Sequence, residues 1–123
     1  MFGPTGEENY SKKLSTKANR KALCQALSLS AKEDQIIIIE SLEVKSGKTS
    51  ELAKLLGKIN TPRRTLIVSE AKTPELVRAS KNLKNVDVVS ANFVNVYDVI
   101  NSDHVVMTKP ALDIVTKWLE EAK

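Results

Sequence analysis

The sequence predicts an α/β fold: a three-layer α/β/α sandwich around a four-stranded, mainly parallel sheet, with a leading basic helix. Two patterns carry this. Short, continuous β-branched runs recur at 36–39 (Ile-Ile-Ile-Ile), 66–68 (Leu-Ile-Val), 86–89 (Val-Asp-Val-Val) and 105–107 (Val-Val-Met), as strands buried on both faces require. Helix-like segments lie between and after them, at about 50–58, 74–82, 95–101 and 110–122. Strand–helix alternation gives parallel strands joined by right-handed crossovers.

Taken in order, residues 1–15 read as an extended basic arm, because Gly3, Pro4, Gly6, Asn9 and Ser11 discourage regular structure. Ser15 or Thr16 caps a helix expected to run to about Ser30. Its wheel gathers Leu23, Ala26, Leu27 and Ser30 on one face and Lys17, Arg20, Lys21 and Cys24 on the other. Residues 16–123 then form one globular domain. Lys72-Thr73-Pro74-Glu75-Leu76 starts a helix by known rules: Thr73 caps, Pro74 takes the first turn, and Glu75 faces the positive helix end. Lys48-Thr49-Ser50-Glu51-Leu52 has the same form, so Thr49 is expected to cap. The last helix carries Leu112, Val115 and Leu119 at helical spacing, with Trp118 beside them.

Composition narrows the function. The chain has 123 residues, 28% charged and 41% hydrophobic, which suits one domain with an aliphatic core. No run approaches the roughly 18 apolar residues that a bilayer demands. The start lacks the pattern of a signal peptide, so the expected location is cytoplasmic. A single cysteine, Cys24, and a single histidine, His104, leave no disulfide and no Cys/His zinc set. His104 is read as the entrance to the last strand, and no metal or cofactor is expected. Net charge is +4, and it is unevenly spread. Residues 1–21 hold five cations against two carboxylates, whereas the remainder holds 14 against 13. That asymmetry describes a polyanion-facing arm on a nearly neutral body.

Three strings suggest other chemistry. Ser46-Gly47-Lys48-Thr49-Ser50 follows a strand and precedes a helix, as a P-loop does. The P-loop glycine five positions before Gly47 is replaced by Leu42, and Glu43 would repel a triphosphate. Nucleotide binding through Gly47-Lys48-Thr49 is nevertheless the alternative function. Lys109-Pro110 ends the last strand as in phospho-receiver domains, but the earlier strands end in Glu40-Ser41, Ser69-Glu70 and Ser90-Ala91, without an acceptor aspartate. Glu40 and Glu70 could face each other at the carboxyl ends of strands, yet they read more simply as solvated loop charges. No catalytic constellation is expected.

Four ordered pieces resemble one family. They are Phe2-Gly3-Pro4 with Tyr10, Lys13-Leu14, Ala22-Leu23 and Ala26-Leu27-Ser28; Asn82-Leu83-x-Asn85-Val86; Asn95-Val96-Tyr97-Asp98; and Thr108-Lys109-x-Ala111-Leu112. Together they resemble the bacterial large-subunit ribosomal protein four family over the whole chain. The resemblance implies sheet order 1-4-2-3, binding to large-subunit ribosomal RNA during subunit assembly, and neighbouring ribosomal proteins as partners. It also implies a chain that matches the C-terminal part of the family and begins at the returning end of its long tunnel loop, with an N-terminal segment and most of that loop missing. Where the family has Pro-Arg-Ser before the tyrosine, this chain has Glu7-Glu8-Asn9, which should weaken RNA contact by the arm.

The expected RNA-binding residues are Tyr10, for stacking or packing, and Lys12, Lys13, Lys17, Arg20 and Lys21, for phosphates. Arg63, Arg64 and Lys109 are weaker candidates. Asn95 is read as a helix cap, Tyr97 as a packed aromatic, and Trp118 as core or edge packing. No membrane and no small-molecule substrate are expected.

Overall fold

The computed structural model describes residues 2–121. The elements follow the expected alternation: α1 (Thr16–Lys32), β1 (Ile36–Ile39), α2 (Thr49–Ile59), β2 (Thr65–Ser69), α3 (Pro74–Ser80), β3 (Val86–Ser90), a 3-10 turn (Ala91–Phe93), α4 (Val96–Asn101), β4 (His104–Thr108) and α5 (Lys109–Glu120). The four strands form one sheet in the order β1-β4-β2-β3, and every pairing is parallel. The register sets Ile36 opposite Val105, Leu66 opposite Val105, and Val68 opposite Val89.

Side chains alternate across a strand, so this register sorts the core into two layers. On one face Leu66, Val68, Val105 and Met107 pack with Leu23 and Ala26 of α1, Val99 of α4, and Ala111 and Val115 of α5. On the other, Ile67 packs with Leu52 and Leu56 of α2 and with Leu76 and Ala79 of α3. Leu52, Leu66 and Ile67 are fully enclosed, and each such side chain contributes about 2 kcal/mol of burial. The central strands β2 and β4 justify the continuous apolar runs, since both of their faces are covered.

Two expectations need correction. The runs at 36–39 and 86–89 are expected to be buried on both faces, but β1 and β3 are the two edge strands of the sheet: Ile38 is 50% exposed, and Asp87 in β3 is exposed as well. A β-branched run shows strand propensity; coverage depends on which helix lies above it. Thr49 was expected to cap α2. Instead it lies inside the helix, and Lys48 holds the capping position with no side-chain cap bond. The parallel expectation for Thr73 holds: its hydroxyl accepts from the Leu76 amide at 3.4 Å, with Pro74 in the first turn. Helix α1 also runs two residues beyond Ser30, to Lys32.

Candidate nucleic-acid interface

Residues 2–15 form no helix or strand, and every one of them is exposed. Local bonds shape the arm. Gly6 has φ +82, a conformation that favours glycine. The Glu8 carboxylate turns back to accept from the Thr5 amide at 3.3 Å and the Gly6 amide at 3.2 Å. Backbone amide bonds, the one from its own N–H foremost, hold the Glu8 carboxyl below the usual carboxylate range. Of the arm's two carboxylates, that of Glu8 is thus turned onto the backbone, while Lys12 and Lys13 project from the following extended residues into solvent.

The arm passes into α1 at Ser15, whose hydroxyl accepts from the Ala18 amide at 3.3 Å. That cap fixes the helix phase. Leu23 and Ala26 go into the core, and Lys17 and Lys21 are left on the outer surface. Arg20 lies at the margin, half-buried. Its guanidinium carbon sits 5.8 Å from the centroid of the Trp118 ring, a cation–π distance. The Trp118 indole N–H in turn donates to the Ala91 carbonyl at 3.2 Å. The expected edge-packing role of Trp118 is therefore observed, and it holds Arg20 in place.

Among the described residues there are two ion pairs. Arg64 meets Asp87 at 3.2 Å, and Lys109 meets Glu40 at 3.0 Å. Lys12, Lys13, Lys17, Arg20 and Lys21 take part in neither. Tyr10 is 82% exposed, so most of its ring is open for stacking. The six candidates follow one another along the arm and the start of α1; Tyr10, Lys12, Lys13, Lys17 and Lys21 are exposed, whereas Arg20, expected on the outer face, is turned to Trp118.

The weaker candidates lie elsewhere. Arg63 and Arg64 precede β2 at the amino end of the sheet, and Arg64 is engaged by Asp87. With the Asn101 amide turned so that its oxygen faces the guanidinium, Arg64 gains a second partner at 3.0 Å. Lys109 lies at the opposite, carboxyl end and is held by Glu40. Glu40 and Glu70 do border one shallow depression there, together with Ser69, Thr73 and Thr108, but Glu40 is turned to Lys109. His104 opens β4 as expected.

The Gly47 loop has a structural occupation. The Ser46 amide and hydroxyl both donate to the Glu51 carboxylate, at 3.4 and 2.6 Å. Gly47 has φ +64 and lies against Glu75 and Arg78 of α3. The place where a P-loop would offer amides to phosphate is filled by the chain's own anion, which tells against the nucleotide reading.

Sequence reasoning missed one surface. A groove of about 540 Å³ lies between α1 and α4, lined by Asn19, Arg20, Leu23, Asn95, Tyr97 and Trp118 among others. Asn95 is the cap of α4 as expected, accepting from the Asp98 amide at 2.9 Å. Tyr97, expected as a packed aromatic, is instead 72% exposed at the groove's rim. A short helix places only some of its apolar residues inward, and in α4 the buried one is Val99.

Comparison with known proteins decides the family. The family model described as ribosomal protein L4/L1 matches residues 1–118. The chain belongs to the ribosomal protein L4/L1 family. It is 37% identical over 116 residues to the large ribosomal subunit protein uL4 of Campylobacter concisus, a match spanning 94% of this chain and 56% of that relative. The uL4 of Magnetococcus marinus is 35% identical over 112 residues, 91% of this chain and 54% of its own length. That of Natranaerobius thermophilus is 34% identical over 114 residues, 93% and 55% respectively. This L4/L1 chain thus spans about half the length of the curated relatives it matches. Its sheet order is the one that the family resemblance implied.

Proposed function

We propose that the chain is a structural, non-catalytic component of the large ribosomal subunit that binds ribosomal RNA and supports subunit assembly. It acts in the cytoplasmic ribosome, beside neighbouring ribosomal proteins. Residues 1–15 serve as an RNA-facing arm, and residues 16–123 as the globular RNA-binding domain. The observation that carries this reading is the run of cations from Lys12 to Lys21, outside both ion pairs of the described residues. Membership of the ribosomal L4/L1 family supports it.

The physics follows from the charges. Lysines that neutralise phosphates release condensed counterions, so affinity falls steeply with salt. Such contacts fix register and carry no base readout. Specificity comes from the shape of folded RNA, which presents phosphates at matching spacings. Tyr10 adds a ring on which an unpaired base can stack. Arg20, set by Trp118, gives the path one cation in a fixed position.

The test is binding of the full chain to purified bacterial large-subunit ribosomal RNA across a salt series. Changing Lys12, Lys13, Lys17 and Lys21 to Gln is expected to flatten the slope of log K against log salt by about three units. An unchanged slope in a variant with unchanged helical content would contradict the proposal.

A further inference from the structure

The cationic path does not stop at Lys21. Helix α1 has the sequence TKANRKALCQALSLSAK and contains no carboxylate. At 100° per residue, Lys17, Lys21, Cys24, Gln25, Ser28 and Lys32 fall within one arc of roughly 100°, opposite Leu23 and Ala26. The arc runs the length of the helix, roughly 22 Å from Lys17 to Lys32. Its second half is a shallow trough lined by Lys21, Cys24, Gln25, Ser28, Leu29 and Lys32. The small Cys24 and Ser28 form its floor between the longer Lys21, Gln25 and Lys32.

We infer that this trough, on the second half of α1, is a further RNA-backbone site, with Lys32 and Gln25 as contact residues continuing the path from Lys12 to Lys21. The inference rests on the proposed function and extends it. Three features support it. Lys17 and Lys21 stand one turn apart, where like charges repel, and no acidic residue of α1 relieves them. An anionic partner along the same face does. Two acids follow the helix, Glu33 and Asp34; neither lines the trough, and Glu33 is engaged by the Gln35 side-chain amide at 2.6 Å. The Ser28 hydroxyl donates to the Cys24 carbonyl at 2.7 Å, which leaves Gln25 and Lys32, beside Lys21, as the trough's donors for phosphate oxygens. Lys32 also faces the negative end of the helix dipole, so the test must separate that local role from RNA contact.

Cys24 supplies the reporter, being the only cysteine. The full chain is treated with iodoacetamide, alone and bound to purified bacterial large-subunit ribosomal RNA, and Lys32→Gln is compared with the parent across a salt series. Alkylation of Cys24 at least about fivefold slower in the complex, with a salt slope flatter by about one unit in Lys32→Gln, is the expected result. RNA binding with either readout unchanged overturns the trough and leaves the Lys12–Lys21 path standing. Absence of RNA binding by the parent chain overturns both.

Discussion

The Glu51 carboxylate closes the loop before α2 by accepting from both the amide and the hydroxyl of Ser46. This relationship turns a string that looks like half a phosphate cradle into a helix-start device. The carboxylate stands in the first turn of α2, at the positive end of the helix. Gly47 supplies the left-handed residue that the turn needs. Nucleotide binding is therefore expected to be absent: calorimetry with ATP or GTP should show no saturable heat, in the parent chain and in Lys48→Ala alike. Saturable binding abolished by Lys48→Ala would restore the nucleotide alternative.

Gly47→Ala should destabilise the domain by about 1 kcal/mol, because φ +64 is unfavourable for any residue with a Cβ. The nearest atoms to such a Cβ are 3.6 Å away, an ordinary contact, so the cost is conformational rather than steric. Denaturant unfolding should show a lower midpoint with an unchanged slope.

Trp118→Phe removes the donor to the Ala91 carbonyl and the better ring beneath Arg20. A loss of about 1–2 kcal/mol in stability is expected. RNA affinity should also fall modestly, since Arg20 loses its support. A variant with full stability would show that the Arg20–Trp118–Ala91 chain of contacts is not formed.

Arg64→Ala is expected to leave RNA affinity within about twofold and to cost less than about 1 kcal/mol, since its pair with Asp87 is half-exposed. A large loss of RNA binding would move the interface toward the amino end of the sheet.

Glu8 gives a pH dependence with a definite sign. Its carboxyl is held below the usual range by backbone amides, so the turn from Thr5 to Glu8 is supported above that range. The support is lost as pH falls through the lowered folded value. Backbone amide resonances of Thr5 and Gly6 should follow one acidic titration, and Glu8→Gln should abolish it.

Much of this was legible in the residues, and the reasons differ by element. The runs at 66–68 and 105–107 pointed to β2 and β4 because central strands are apolar on both faces. Thr73 and Asn95 announced helix starts through local bonds that depend only on neighbouring residues. Thr49 failed because the same residue types fit a different phase when Glu51 reaches back to Ser46. Ile38 and Tyr97 failed for a tertiary reason: hydrophobic character does not say whether another element lies on top. The cations of the candidate interface were visible as a charge asymmetry. The fixing of Arg20 by Trp118, nearly a hundred residues away, depends on packing that no local pattern encodes.

Membership of the large ribosomal subunit is decided by peptide mass spectrometry of salt-washed large subunits from the source cells. The expected result is this chain at close to one copy per subunit. Its absence from large subunits, with abundance in the soluble fraction, would overturn the ribosomal role.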